Sequence, residues 1–305
     1  MTATAIEANG LGLGYGRRGH RALDGCSFRV PAGRVCALAG PNGAGKSSLL
    51  ALAAGLLRPT GGTLRVLDGI PSDARGSTSR AEGLRGRIAY VAQDKPLYPQ
   101  LTIGETLRLG HELNRGRWDA ALAERIVEEG GGLDPAARIR SLSGGQRTRV
   151  ALALALAKRP ELMLLDEPMA DLDPLARHRL TAALMTEAAD HGTTIVISSH
   201  ILSELEATCD YVLLLDGGRV RLAGETEDLI SAHTLLTGPV ADLPDHTVVE
   251  SRTTGRQLTA LVRGSSAVGG GWQTAQPSLE ELLMAHLRSP DAPPMLTPSA
   301  EVATA

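Results

Sequence analysis

The chain contains few aromatic residues, few lysines and few cysteines. Aromatic side chains make up 2% of its 305 residues, with a single phenylalanine, so we expect a core of packed aliphatic side chains. Its three cysteines are far apart and lie in apolar surroundings: Cys26, Cys36 and Cys209. This spacing argues against a disulfide framework or a zinc site, and it predicts small buried thiols in a reducing compartment.

Long apolar runs and a strong net charge are also missing. The longest apolar run, Val150 to Ala157, has eight residues, whereas a membrane-spanning helix needs about 20. No positively charged segment followed by an apolar one is found at the N-terminus, so no secretory signal is predicted. The net charge of −3 argues against a partner that is nucleic acid. We therefore expect a protein that is cytosolic in its own right.

One glycine-rich segment matches the phosphate-binding pattern G-x-x-x-x-G-K-[ST] at every fixed position. It consists of Gly40, Pro41, Asn42, Gly43, Ala44, Gly45, Lys46, Ser47 and Ser48. Residues 34–39 before it predict a strand and residues 49–54 after it a helix, which is the context that the motif requires. A chance Lys-Ser after a surface turn is the alternative, and these flanks argue against it.

The chemistry of this segment predicts a nucleoside triphosphate-binding site. Successive loop amides and a helix N-terminus bind phosphate oxygens. Lys46 is expected to reach the β- and γ-phosphates, and the hydroxyl of Ser47 is expected to ligate Mg²⁺.

Strands and helices alternate through most of the chain. Residues 5–33 read as short strands of an antiparallel edge sheet, whereas residues from about 100 to 158 have helical periodicity. From residue 141 the alternation resumes and continues to about 225. We therefore predict an α/β fold over 5–225: a P-loop NTPase core with a parallel sheet, an antiparallel β subdomain and a helical insertion.

The pattern changes after residue 225. Residues 226–288 contain short alternating segments and a capping box, Ser278 to Glu281, that predicts a helix, so we expect a small C-terminal α+β extension. Residues 289–305 are proline-rich and are predicted to be disordered. Residues 14–19 match G-x-G-x-x-G, but no apolar helix follows them, and we interpret them as a glycine-rich hairpin.

A short apolar run ends in two acids. Residues 162–165 are typical of a central strand of a parallel sheet, and ligands bind at the carboxyl ends of such strands. Asp166 is expected to hold Mg²⁺ through water, and Glu167 to accept a proton from an attacking water. An apolar strand that ends in Asp-Glu is common, so this interpretation depends on the phosphate loop.

The segment Leu142 to Gln146, with the sequence L-S-G-G-Q, indicates a family. The chain resembles, over about residues 5–288, the nucleotide-binding subunits of ABC (ATP-binding cassette) transporters, whose signature motif is L-S-G-G-Q. Taken alone, Ser143 is an ordinary N-cap before a helix over 147–158, whose amides form a second anion site. The resemblance implies that this site faces the γ-phosphate bound by an opposite subunit. Its residues are Ser143, Gly144, Gly145 and Gln146.

The resemblance implies roles for further residues. Tyr15 lies where the family has an aromatic that stacks on adenine, although a hairpin tyrosine is a strong alternative. Gln93 resembles the glutamine that touches Mg²⁺ and senses the permease, and His200 resembles the histidine that contacts the γ-phosphate. Residues 169–173 resemble the D-loop, with Asp171 at a position that commonly holds glycine.

The resemblance therefore implies an enzyme that hydrolyses ATP with Mg²⁺. Its catalytic residues are expected to be Lys46, Glu167 and His200, in composite sites shared by two ATPase subunits of a homodimer or heterodimer. It implies a location on the cytoplasmic face of the cell membrane, where the subunit drives a separate integral membrane permease. Similarity of the C-terminal extension favours an ABC-2-type exporter. An importer ATPase and a soluble ABC ATPase acting on chromosomes or ribosomes are the alternatives.

Overall fold

The computed structural model describes residues 3–16, 20–71, 79–129, 131–199, 201, 206, 208–240, 243, 246–264 and 271–302. Its strands are β1 Thr4–Tyr15, β2 His20–Pro31, β3 Val35–Ala39, β4 Gly61–Val66, β5 Ile88–Val91, β6 Leu162–Asp166, β7 Thr194–Ser199, β8 Tyr211–Asp216, β9 Arg219–Glu225, β10 His233–Pro239, β11 Thr247–Thr254, β12 Gln257–Arg263, β13 Gln273–Ala275 and β14 Met295–Leu296. Its helices are α1 Lys46–Ala53, α2 Ser79–Arg87, α3 Ile103–Leu113, α4 Ala120–Glu128, α5 Gly144–Ala157, α6 Pro174–His191, α7 Thr226–Ser231 and α8 Leu279–Arg288, with a 3₁₀ turn at Ile139–Ser141.

The main sheet positions the phosphate loop and the acids. Within the described residues it has seven strands in the order β14-β9-β8-β3-β7-β6-β5, and β3, β5, β6, β7 and β8 run parallel. Every residue of β3 is buried, because alternate side chains enter two different cores: Ala37 one and Leu38 the other. The predicted aliphatic packing is thereby confirmed. Since parallel strands end at the same edge, the loop after β3 and the acids after β6 lie together.

A second, antiparallel sheet lies against the end of the phosphate loop, where Gly45 approaches Ala22 of β2. Its strands have the order β2-β1-β4. Tyr15 at the end of β1 pairs with His20 at the start of β2, so the G-x-G-x-x-G match falls between two paired strands and not before a helix. Arg17, Arg18 and Gly19 lie outside the described residues.

The helical segment contains α3, α4 and α5. The predicted capping box opens α3: Thr102 Oγ1 accepts from the Glu105 amide, and Glu105 Oε2 accepts from the Thr102 amide. Asp119 caps α4 by accepting from the Leu122 amide at 2.9 Å. The described part of residues 226–288 contains a four-stranded sheet in the order β11-β12-β10-β13, together with α7 and α8. The predicted capping box at Ser278 and Glu281 begins α8.

The three cysteines are free and buried. Burial raises the pKa of the Cys26 thiol to about 11, so this thiol is protonated at neutral pH. The predicted role as small buried residues is confirmed.

The prediction of disorder after residue 288 is wrong for residues 289–302. Met295 and Leu296 form β14, which pairs in parallel with β9 and forms an edge of the main sheet. Ala300 is fully buried, and its carbonyl accepts from the Arg29 amide at 2.8 Å. An open strand edge offers unpaired backbone groups, and these stabilise a segment whose own composition favours disorder. Residues 303–305 lie outside the described residues.

Side chains also hold the C-terminal segment against the end of β9. Thr297 Oγ1 donates to Glu225 Oε2 at 3.2 Å, and Ser299 Oγ donates to the same oxygen at 2.5 Å. These bonds lower the pKa of Glu225, although burial opposes them. Gly224 has a φ of +153° and lies against Thr297: a Cβ there would come within 2.3 Å of the Thr297 side chain. The close approach of the tail therefore requires glycine at this position.

Candidate functional site

Two glycines of the phosphate loop lie against backbone carbonyls of β8 and β2, and neither position accommodates a larger residue. Gly40 has a φ of +146°, and an added Cβ would lie 2.2 Å from the carbonyl oxygen of Leu215. Gly45 has a φ of +103°, and an added Cβ would lie 2.4 Å from the carbonyl oxygen of Ala22. Gly45 is also the N-cap of α1, and glycine brings no side-chain acceptor to the first amides of the helix. Such an N-terminus attracts phosphate oxygens.

The side chain of Lys46 is held against this loop. It is 6% exposed, and its Nζ donates to the carbonyl oxygens of Gly40 at 2.7 Å and Pro41 at 3.1 Å. Burial lowers the pKa of Lys46, whereas the nearby carboxylates of Glu167 and Asp166 act in the opposite direction. The loop, one cation and two acids therefore share a small volume.

The acids after β6 are held by a serine that the sequence analysis did not identify. Asp166 is 2% exposed and lies beside Ser198 of β7 in the sheet register. Ser198 Oγ donates to Asp166 Oδ1 at 2.7 Å and accepts from the Glu167 amide at 2.9 Å. Glu167 has a left-handed backbone with a φ of 46°. One hydroxyl thus fixes both the Asp166 carboxylate and the backbone of Glu167.

A cleft of about 420 Å³ is lined by half of the predicted nucleotide-binding residues, and Asp166 is not among them. Tyr15 Oη lies 3.1 Å from Ser48 Oγ, and Gln93 Nε2 donates to Glu167 Oε2 at 3.4 Å. His20, which the sequence analysis did not identify, also lines the cleft; its position opposite Tyr15 in the hairpin is the signal that could have found it. The lining residues are Tyr15, His20, Ala22, Asn42, Gly43, Gly45, Lys46, Ser47, Ser48, Gln93 and Glu167. His200 lies outside the described residues.

The signature residues lie elsewhere, at the N-terminus of α5. Ser143 Oγ accepts from the Gln146 amide at 3.3 Å, and Gln146 Oε1 accepts from the Ser143 amide at 2.9 Å, which is a capping box. Ser143 and Gly144 are exposed. These residues line a second cleft, of about 470 Å³, together with Asp171 and the helices α4 to α6. A single chain therefore does not bring its signature to its own phosphate loop.

The donors near the phosphate loop fit a magnesium ion. Ser47 offers an exposed hydroxyl, Gln93 an amide oxygen and Asp166 a carboxylate, and Mg²⁺ prefers oxygen ligands. Asp166 has one carboxylate oxygen bonded to Ser198, which leaves the other oxygen for an ion or its water. Ser47, Gln93 and Asp166 are the residues that would hold the ion.

A family model described as ABC transporter matches residues 23–170. Similar curated proteins include the molybdenum import ATP-binding protein ModC of Mycobacterium tuberculosis, 37% identical over 70% of this chain and 59% of the relative. The daunorubicin/doxorubicin resistance ATP-binding protein DrrA of Streptomyces peucetius is 37% identical over 75% of this chain and 67% of the relative. An Fe(3+) ions import ATP-binding protein, FbpC 2 of Rhodococcus jostii, is 36% identical over 86% and 71%. This chain thus spans about three fifths to seven tenths of these proteins.

Solved structures agree with the sequence relatives. The ATP-binding subunit of an ABC transporter superposes with a TM-score of 0.63 at 29% identity, over 74% of this chain and 91% of that one. The dimeric bacterial ABC transporter cassette MJ0796 superposes with a TM-score of 0.64 at 25% identity, over 72% and 98%.

Further features agree with these similarities. The predicted P-loop NTPase fold, with its parallel sheet and antiparallel subdomain, is confirmed. Across the described ranges, none of the helices has both the length and the apolar character needed to cross a bilayer. The phosphate-loop cleft and the capped signature helix contain the two sequence motifs on which the resemblance is based. The chain belongs to the family of ABC transporter ATP-binding proteins, a family of ATPases that use Mg²⁺.

Proposed function

We propose that this chain is the ATP-hydrolysing subunit of an ABC transporter and drives export through a separate ABC-2-type permease. The observation that supports hydrolysis is the cleft in which the phosphate loop, Gln93 and Glu167 meet. Phosphoryl transfer depends on positioning and charge neutralisation more than on covalent chemistry by the protein. This cleft offers both.

Each residue of the cleft has a proposed role. Lys46 and the amides of residues 42–48 bind the β- and γ-phosphates, and Tyr15 stacks on adenine. Glu167 accepts a proton from the attacking water, and Gln93, which donates to Glu167, helps to position that water. When bound, Mg²⁺ neutralises phosphate charge. His200, which is outside the described residues, is proposed to contact the γ-phosphate.

We propose that the second wall of each site comes from another subunit. Ser143 and Gly144 are exposed at the N-terminus of a 14-residue helix, and they line a different cleft from Lys46. The MJ0796 cassette, which has the same fold, is dimeric. A homodimer or heterodimer therefore completes two ATP sites, with Ser143, Gly144, Gly145 and Gln146 facing the γ-phosphate held by the partner.

The permease is the partner that gives the enzyme its location. The relatives are named as ATP-binding proteins of molybdenum import, of Fe(3+) ion import and of drug resistance. We therefore propose an integral membrane permease as partner and the cytoplasmic face of the membrane as location. Nucleic acid is not a proposed partner, because the net charge is −3.

The direction of transport is proposed from relatives and from the C-terminal extension. Export is supported by similarity to the Nod factor export ATP-binding protein I of Rhizobium etli and by α8, whose Ser278–Glu281 start resembles that of ABC-2-type ATPases. Import is the second candidate, because ModC and FbpC are equally similar relatives. Co-expression with the permease encoded by the neighbouring reading frame, followed by ATP-dependent transport into inside-out vesicles, tests the direction. Uptake into the vesicles supports export, and release from them supports import.

Substitution of Glu167 by glutamine tests the composite site. Glutamine keeps the size of the side chain but cannot take a proton at neutral pH, so ATP is bound and not consumed. ATP then acts as a component of the interface, and mass action stabilises the dimer. We expect Glu167→Gln to dimerise with ATP in size-exclusion chromatography and Ser143→Arg to disperse that dimer. The matched control is Glu280→Gln, on the exposed side of α8.

Three results would count against these roles. Normal ATP hydrolysis by Glu167→Gln would remove the general-base role. A Glu167→Gln protein that binds ATP and stays monomeric would contradict a composite site formed by this chain alone. Persistence of the dimer in the Ser143→Arg background would place the interface away from the signature.

A further inference from the structure

A buried lysine beside the nucleotide cleft is paired with an acid of the segment after β6. Lys95 lies two residues beyond Gln93, has a left-handed backbone with a φ of 46°, and its side chain is 5% exposed. Its Nζ lies 2.5 Å from Asp171 Oδ2. Burying an ammonium is costly unless a charged partner compensates it. The pair therefore fixes residues of two separate loops against each other.

The acid of this pair also lies against the signature glycines. A Cβ added to Gly144 would be 3.2 Å from both Cβ and Cγ of Asp171 and 3.4 Å from its Oδ2. A Cβ added to Gly145 would be 3.0 Å from the carbonyl oxygen of Asp171. The carboxylate of Asp171 thus lies at the N-terminus of α5. This is the same end of the helix that is proposed to receive the γ-phosphate of ATP from a second subunit.

A carboxylate at that place has two opposed effects. It interacts favourably with the helix N-terminus, but it repels an incoming phosphate group. Its side chain is 49% exposed, so water screens this repulsion in part. The ammonium of Lys95, held in direct contact with the carboxylate, offsets the remaining negative charge.

We propose that Lys95 is a positioning residue that acts through Asp171: it compensates the carboxylate beside Gly144 so that the signature end of α5 accepts the γ-phosphate bound to the second subunit. The proposal rests on the proposed composite site and deepens it. It assigns a role in nucleotide-dependent association to a lysine that lies outside the phosphate loop and outside the signature. It also makes the charge of Asp171 a determinant of the affinity between subunits.

The experiment measures ATP-dependent dimerisation in a Glu167→Gln parent by sedimentation velocity at several ATP concentrations. Asp171→Asn keeps an oxygen that accepts from Lys95 but removes the negative charge, so we expect it to tighten the dimer by on the order of tenfold at low salt. Lys95→Gln leaves the carboxylate uncompensated and is expected to weaken the dimer by a similar factor. Combining both changes is expected to restore the parent affinity. Both single-variant effects are expected to shrink as salt is raised.

Arg115→Gln is the matched control, because it removes one positive charge from an exposed i,i+3 pair with Glu112 on the far end of α3. It is expected to leave the dimer unchanged. A purely structural role for the Lys95–Asp171 pair predicts that Asp171→Asn weakens the dimer and that the double variant is worse than either single one. Either result overturns the proposal, as does a Lys95→Gln protein that dimerises like its parent.

Failure of the underlying function gives a different pattern. A Glu167→Gln parent that binds ATP but never dimerises contradicts the composite site itself and overturns both proposals. A parent that dimerises, with Asp171 variants that do not follow charge, overturns only the role of Lys95. Thermal unfolding of each variant without nucleotide separates loss of folding from loss of association. If Lys95→Gln does not fold, the proposal is decided by Asp171→Asn, which keeps the hydrogen bond from Lys95.

Discussion

Replacement of Ser198 by alanine is expected to lower the stability of the fold and the rate of ATP hydrolysis together. Ser198 is fully buried at the end of β7, where its hydroxyl donates to Asp166 and accepts from the Glu167 amide. A hydrogen bond to a charged group contributes about 1.5–3 kcal/mol, and a buried polar group that loses its partner costs about 1–3 kcal/mol. Allowing for relaxation, we expect a loss of about 2–4 kcal/mol in the free energy of unfolding.

The same hydroxyl is expected to matter for catalysis because it holds the left-handed backbone of Glu167. A shift of about 1 Å in a catalytic group costs on the order of 100-fold in rate. We therefore expect kcat for Ser198→Ala to fall by roughly 10- to 100-fold, with a smaller change in KM because the phosphate loop is untouched.

Urea unfolding and steady-state ATPase kinetics measure the two effects. Ser199→Ala is the matched control: Ser199 is the next residue of β7, and its hydroxyl accepts from the amide of Ile201 and not from the acids. We expect its kcat to stay within about twofold of the parent. If Ser198→Ala has the urea midpoint and the kcat of the parent, the hydroxyl does not position Glu167 and this reasoning is refuted.

Three further predictions follow from other parts of the chain. Lys46→Ala is expected to abolish hydrolysis, because the cation of the phosphate loop is lost, and turnover at the parental rate would exclude the proposed triphosphate site. Deletion of residues 289–305 is expected to lower the free energy of unfolding by about 2–5 kcal/mol, since a buried alanine, a sheet strand and the partners of the partly buried Glu225 carboxylate are removed. An unchanged urea midpoint would show the segment to be dispensable. Burial lowers the pKa of Lys158 from 10.5 to about 8, so the folded state binds fewer protons than the unfolded state between these values. The contribution of this lysine to stability is therefore expected to rise as the pH increases from about 8 to 10.5, and Lys158→Met is expected to lack that rise in urea titrations across this range.

The proximity of the phosphate loop, Gln93 and Glu167 could be predicted because these residues are adjacent in sequence or end neighbouring strands. The phosphate loop carries its geometry locally: three glycines, a lysine and the helix after them. Asp166 and Glu167 could be assigned because an apolar run of that length must be a buried strand, and parallel strands end at one edge.

The contacts between distant loops could not be predicted in this way. Ser198 depends on the register between β6 and β7, which no local pattern specifies. The Lys95–Asp171 pair joins residues 76 positions apart, and each residue alone looks like an exposed loop charge. His20 lines the cleft only because a hairpin places it opposite Tyr15.

The C-terminal segment shows that amino-acid composition alone does not predict whether a segment is ordered. Proline and small residues in 289–302 favour disorder in an isolated peptide, but the edge of β9 supplies what the peptide lacks. Because of these contacts, we expect shortened forms of the protein to be less stable. A cassette that ends at residue 225 would keep every nucleotide motif and still lose a strand of its main sheet.

The position of β14 has a consequence for the synthesis of the protein. Met295 pairs with Leu222, so 72 residues are translated between these two pairing residues. When β9 has just been released from the ribosome, its outer edge lacks the strand that pairs with it in the finished fold, and this edge stays unpaired while the four-stranded sheet and α8 are made. Open edges are sites of aggregation, and domains begin to fold during translation. Chaperones that shield nascent strands are therefore expected to bind this chain longest in the interval between β9 and β14.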